Sequence, residues 1–221
     1  MGSPSSTEHR WRRLAADTRV LLATRSRGKL RELHGIFAEA GLTGVTLDDI
    51  GIEYSPEEDG IECFDTFEEN ALAKARYFHA RSGIPTVADD SGLSVNALGG
   101  APGVWSKRYS GRGDLEGQAL DDANNAKLLS ELSDADDRSA KYSCAAAYVD
   151  ENGEEVASGD THGRIVGDPR GTEGFGYDPY FFSSELKKTF GEASIAEKQQ
   201  VSHRGRAFRA LVRALRERGW I

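Results

Sequence analysis

Apolar positions along the chain switch between short continuous runs and helical spacing. Val20-Leu21-Leu22-Ala23 is continuous, as in a buried strand, and Leu30, Leu33, Ile36 and Phe37 then recur at helical intervals. A polar hexapeptide, Thr24-Arg25-Ser26-Arg27-Gly28-Lys29, separates them, so the order is strand, polar loop, helix. A second strand is expected at 45–47. Asp65 and Thr66 are capping residues for a helix that places Phe67, Ala71, Ala75 and Phe78 on one face. Pro85 introduces a strand, Thr86-Val87-Ala88, read as ending in Asp89-Asp90-Ser91-Gly92.

Downstream, 99–117 holds six glycines and Pro102 and reads as a long irregular segment, of the kind that is mobile or functional. A helix is expected over 121–132 and a polar turn over 133–139. Tyr142, Cys144, Ala146 and Tyr148 alternate with Ser143, Ala145, Ala147 and Val149, a strand pattern, and Glu151-Asn152-Gly153-Glu154 turns it into a second strand over 155–161. A closing helix carries Phe208, Leu211, Val212 and Leu215 on its apolar side. Residues 1–19, with Arg10, Arg12 and Arg13 around Trp11, read as an N-terminal extension, either a frayed tail or a short helix. The expectation is a mixed α/β fold over 20–221, one domain with two lobes around a cleft.

Composition narrows the function classes. At 221 residues the chain is long enough for one sizeable core. No apolar run is long enough to span a bilayer, and the first residues lack the apolar stretch of a secretory signal. Two cysteines, Cys63 and Cys144, are too few for a disulfide framework, which points to a reducing, cytoplasmic setting. The formal charge of −8 argues against a long nucleic acid as partner. A nucleotide remains open, because a local basic cluster binds phosphate inside an acidic protein.

Five segments carry candidate chemistry. Thr24 to Lys29 fails as a Walker A loop, which needs Gly where Ala23 stands and Ser or Thr where Leu30 stands. Backbone amides at a helix start, two hydroxyls and an ammonium still suit phosphate oxygens, although an ordinary polar turn has the same spacing. Glu68-Glu69-Asn70 opens a helix, where the dipole alone favours carboxylates. Asp89-Asp90, followed by Ser91-Gly92, suits a divalent cation and an oriented water, and equally an acidic turn. Gly174-Phe175-Gly176-Tyr177-Asp178-Pro179 suits a base-stacking wall or plain packing. Lys198 and Ser202-His203-Arg204 form a second cationic cluster for phosphate or a purine edge, with His203 alternatively a helix cap. His162, Cys144 and Cys63 have no partner at metal-ligand spacing. A Ser91–His203–Asp178 triad lacks the G-x-S-x-G elbow.

Taken together these segments resemble the inosine triphosphate pyrophosphatase family, the Ham1-like group. The resemblance runs from Val20 to the last helix and is carried by Thr24–Lys29, by Thr66-Phe67-Glu68-Glu69-Asn70-Ala71 with Lys74-Ala75, and by Ala88-Asp89-Asp90-Ser91-Gly92-Leu93. It continues through Pro102-Gly103-Val104, Gly174–Pro179, and Glu197-Lys198 leading to Ser202-His203-Arg204. It implies an elongated two-lobed α/β fold, a homodimer, Mg²⁺ dependence, and hydrolysis of ITP, dITP and XTP to the monophosphate and pyrophosphate. By position it implies that Thr24, Arg25, Ser26, Arg27, Gly28 and Lys29 hold phosphates beside Ser91, and that Glu69 and Asp90 engage Mg²⁺. Asp90 would accept the proton, with Lys29 withdrawing charge. Phe175, Gly176, Tyr177, Asp178, Lys198, His203 and Arg204 would bind the nucleotide, the last two near the base. Ser26 departs from the family's usual Asn. A pyrophosphatase for ordinary or modified deoxynucleotides, of Maf-like specificity, is the alternative. A MutT-like one would need a G-x₅-E-x₇-R-E-x-x-E-E segment, which is missing. A nonenzymatic nucleotide sensor is the remaining reading.

Overall fold

The structure, a computed structural model, describes residues 19–221. The expected extension lies outside the described residues except for Arg19, which opens the first strand instead. Strand β1 is Arg19–Leu22, helix α1 is Arg27–Glu39 and β2 is Thr43–Thr46. A 3₁₀ turn, Pro56–Gly60, precedes α2, Phe67–Ser82. Then come β3, Thr86–Val95, short 3₁₀ pieces at Asn96–Leu98 and Gly103–Arg108, and α3, Gly117–Glu131. The antiparallel pair β4, Ser139–Asp150, and β5, Gly153–Ile165, is followed by β6, Phe181–Ser183, α4, Ile195–Val201, and α5, His203–Glu217.

All six strands form one mixed sheet in the order β2-β1-β3-β4-β5-β6. β1 runs parallel to β2 and β3, and the other pairings are antiparallel. One face is covered by α1 and α5, whose Leu33, Ile36, Phe37, Phe208, Leu211 and Leu215 pack on Val20, Leu22, Val87, Cys144 and Tyr148. The opposite face carries α2, with Ala71, Ala75 and Phe78 against Leu21, Ala88 and Ala145. Period-two alternation along each strand sends neighbouring residues to these two layers. A third apolar group, including Leu93, Val95, Leu128, Tyr142, Phe181 and Phe190, closes the far end of β3 and β4.

Two expectations about the elements are corrected. β3 does not stop at the Asp-Asp pair. It continues to Val95, so both acids lie mid-strand opposite Ala146 and Ala145 of β4. Turn-forming residue types are overridden there because β4 supplies small partners, Asp89 finds cations and Asp90 finds amide donors. Part of the glycine-rich 99–117 segment is also structured. Ser106 in its 3₁₀ piece accepts the Leu93 N–H at 2.8 Å, which ties the segment to β3.

Candidate active site

The polar loop after β1 becomes the N-terminus of α1. Ser26 is the N-cap: its Oγ accepts the Lys29 N–H at 3.3 Å, and its own N–H donates to Thr24 Oγ1 at 3.2 Å. No acidic residue occupies the first turn, so its free amides and dipole stay favourable for an anion. The cations of the loop diverge. Lys29 Nζ turns inward to Asp89, 3.1 Å from Oδ2 and 3.2 Å from the backbone oxygen. Arg25 swings outward into a two-pronged pair with Glu58, both contacts at 2.7 Å, and also donates to the Ile52 carbonyl. Arg27 is exposed. Gly28 lies against the Phe175 ring, so close that a Cβ there would be 2.5 Å from Cδ1.

The pleat of β3 gives Asp89 and Asp90 different surroundings. Asp89 faces the α1/α5 layer, fully buried, with Lys29 and Arg204 on Oδ2. Burial works against its charge, but Lys29, Arg204 and Lys74 overcome it and hold its pKa far below the usual carboxylate range. Asp90 faces α2, where Asn70 Nδ2 donates to Oδ2 at 3.0 Å and the Ser91 N–H to Oδ1 at 2.9 Å. Burial, reinforced by Glu62, pushes its pKa up against the pull of Lys29 and Lys74. Lys74 itself donates to the Asp89 backbone oxygen at 2.6 Å and pairs with Glu62.

The second cationic cluster is not at the surface. Lys198 bridges Glu32 at 2.7 Å and Asp178 at 2.6 Å. Arg204, 2% exposed, bridges Glu32 at 2.5 Å and Asp89 at 3.0 Å and donates to Ser91 Oγ at 2.8 Å. Acids and bases therefore alternate along one buried chain: Lys29, Asp89, Arg204, Glu32, Lys198, Asp178. Each interior charge touches two of opposite sign, which offsets the desolvation that an isolated buried ion would suffer. The chain runs from the polar loop to the aromatic wall. There Asp178 Oδ2 also accepts the Phe175 N–H at 2.8 Å, and the Phe175 ring lies 5.1 Å from Lys198 Nζ. Tyr177 is buried and donates to the Ser106 carbonyl at 2.8 Å. His203 is buried too, stacked on Tyr142 with ring centroids 4.6 Å apart. Burial, with Arg204 beside it, lowers its pKa well below the ordinary value and keeps the ring neutral. The N-cap of α5 is Ser202, not His203.

Thr24, Ser26, Gly28, Lys29, Ser91, Phe175, Asp178, Lys198 and Arg204 are thus joined by direct contacts or shared partners. Glu69 stands apart: it is exposed on the first turn of α2, and its Oε2 accepts from the cap residue Thr66 at 2.7 Å. Among the described residues no three His, Cys, Asp or Glu side chains converge as a metal cage. Carboxylate oxygens are nevertheless the hard donors that Mg²⁺ takes, one or two at a time, with phosphate and water completing its shell, and Asp90 and Glu69 fit that donor chemistry. Sequence reasoning missed Glu32, Glu62 and the role of Asn70. Glu32 was hidden in a helical polar face, although its place three residues after Lys29 puts it on the same side of α1.

Residues 20–214 match the Ham1 family. This chain belongs to the Ham1 family. A Geobacter sulfurreducens protein named dITP/XTP pyrophosphatase is 48% identical over 88% of this chain and 94% of its own. A Mycobacterium tuberculosis protein of the same name is 48% identical over 92% of this chain and 98% of its own. Among solved structures, a HAM1 protein from Coxiella burnetii superposes with a TM-score of 0.76 at 34% identity, covering 90% of this chain and 98% of its own. The Ham1 core therefore spans the sheet, both helical layers and the alternating charge chain.

Proposed function

We propose that this Ham1 protein hydrolyses deaminated purine nucleoside triphosphates (ITP, dITP and XTP) to the monophosphate and pyrophosphate. The observation that carries the reading is the charge chain, which joins an anion-favouring helix start to an aromatic wall past the Asp89–Asp90 pair. The names of the relatives, dITP/XTP pyrophosphatase, support the same substrate class.

In this reading the α1 amides and Thr24 and Ser26 hydroxyls hold phosphate oxygens, and Lys29 withdraws charge from them. Phosphate oxygens compete with Asp89 for the Lys29 ammonium, and Arg204 stays on Asp89 so that the buried carboxylate is never left unpaired. Asp90, fixed by Asn70 and the Ser91 amide, orients a water toward the α-phosphorus and takes its proton. The Pα–O bond to the departing pyrophosphate breaks as the water oxygen bonds. Mg²⁺, held by Asp90 with Glu69 and substrate oxygens, would supply Lewis-acid charge neutralisation when bound. Phe175 stacks on the base, and Lys198, His203 and Arg204 set the polar edge that meets it, where the 6-oxo group of hypoxanthine or xanthine accepts a hydrogen bond and adenine's amino group does not.

A homodimer and a cytoplasmic location are part of the same proposal. No described helix is long and apolar enough to cross a membrane. Hydrolysis of ITP in ¹⁸O-water tests the chemistry. Attack at the α-phosphorus leaves the label in the monophosphate; label in pyrophosphate or orthophosphate contradicts it.

A further inference from the structure

The aromatic wall is held from behind by α3. Gly176 sits between Phe175 and Tyr177 in the left-handed region, at φ +64. Both of its backbone polar groups are taken by one helix face. Its N–H donates to Asp121 Oδ2 at 2.8 Å, and its carbonyl accepts from Asn125 Nδ2 at 2.9 Å. Asn125 Nδ2 also donates to the Asp121 carbonyl at 2.9 Å, which locks the two helix residues together one turn apart. Asn125 is 5% exposed and its Oδ1 has no hydrogen-bond partner, so the side chain is oriented to donate to Gly176 even though its oxygen goes unsatisfied. Asp121 is partly desolvated, and the charge of Asp178 acts on it. Burial, with that neighbouring charge, raises its pKa while the Gly176 N–H pulls it down. An acid in this surrounding, and an unsatisfied amide beside it, are unfavourable choices for stability alone.

We propose that Asp121 and Asn125 are positioning residues that clamp the Gly176 peptide and so fix the Phe175 ring against which the purine base stacks. The inference rests on the pyrophosphatase reading for the identity of the base. On the other side of the wall, Asp178 holds the Phe175 N–H and Tyr177 is tied to Ser106, so Gly176 is the one link of the wall that α3 controls. A flexible glycine between two rings would let the stacking plane tilt, and a tilting plane accepts any base equally well, because every base offers a π-face. Selection of one purine edge over another needs the plane fixed.

The test uses D121A, D121N and N125D with ITP and ATP, together with hydrogen exchange of the 174–178 amides. N125D keeps the shape but replaces the donor with an acceptor facing the Gly176 carbonyl. Losing one hydrogen bond to a charged partner corresponds to about a tenfold change or more in binding. D121A and N125D should therefore raise KM for ITP about tenfold with kcat changed much less, and should narrow the ITP to ATP ratio of kcat/KM. The 174–178 amides should exchange faster in both, and D121N, which still offers Gly176 an oxygen, should recover most of the D121A loss. Equal losses for ITP and ATP alongside a lowered Tm, or unchanged exchange at 174–178, would overturn the clamp. If the unmodified protein turned over neither ITP nor XTP, the pyrophosphatase reading would fall. Exchange would then decide the clamp separately, with faster exchange in D121A and N125D supporting it and unchanged exchange rejecting it.

Discussion

At Asp90 the local arrangement fixes one rotamer: Asn70 and the Ser91 amide each occupy one carboxylate oxygen. Replacing it by Asn keeps the size and removes the carboxylate proposed to accept the proton. D90N should lose at least about two orders of magnitude in kcat with nucleotide binding better preserved, which steady-state rates and titration of the folded variant would check. Ser26 behaves differently. Its contribution is the cap on Lys29 N–H, and Asn caps as well as Ser. Arg25 is engaged by Glu58 and does not fill the space beside Ser26. The longer carboxamide adds an N–H donor that Ser lacks, so S26N should restore a contact to the substrate, lower KM for ITP and leave kcat and base preference alone. A raised KM would show crowding of the loop, and a large fall in kcat would place Ser26 in the chemical step.

Among the elements, legibility followed periodicity and local cap chemistry. The α1, α2 and α5 faces and the β4 alternation were readable because their apolar residues repeat at 3.6 or 2, and Thr66 is the cap that the pattern indicated. β6 and α4, three and seven residues long, are too short to establish a period. Asp89-Asp90-Ser91-Gly92 was misread as a strand end because those residue types favour turns. What keeps them in the strand is tertiary: Lys29, Arg204 and Asn70 come from three different helices. Gly92 is part of the same close approach. A Cβ there would lie 2.3 Å from the Gly103 carbonyl and 2.5 Å from Ser106 Oγ, so β3 and the 3₁₀ piece carrying the Tyr177 anchor must separate to admit one. G92A should destabilise the fold by roughly 1–3 kcal/mol, the usual scale of overpacking, read as a lowered Tm.

Across the whole molecule the charge chain unites α1, β3, α4 and α5, and its partners lie far apart in sequence: Glu32 and Arg204 are 172 residues apart. Such pairing leaves no local signal, which is why Lys198 and Arg204 read as a free cationic cluster while Glu32 went unnoticed. It also makes stability depend on pH. Burial opposes the charge on Glu32, yet Lys198 and Arg204 hold its pKa at about 2 in the folded state. A depressed folded pKa contributes stability above the unfolded value near 4.5, and that contribution is lost as pH falls toward 2. Denaturant unfolding should show this loss between those limits. E32Q should be less stable at neutral pH by about 3–5 kcal/mol, because two cations lose their shared carboxylate, and it should show a flatter acid limb. An unchanged acid limb in E32Q would mean that folding does not depress the Glu32 pKa.

The same chain joins the α1 N-terminus to the aromatic wall, and the proposed function requires a deaminated purine triphosphate to reach both. The most direct measurement is kcat/KM for ITP, dITP, XTP, ATP and GTP with Mg²⁺, scoring pyrophosphate against orthophosphate. The prediction is pyrophosphate as product, with ITP, dITP and XTP preferred to ATP by more than about tenfold, the scale set by one well-placed hydrogen bond to the base. Orthophosphate release, or equal turnover of all five, would contradict it.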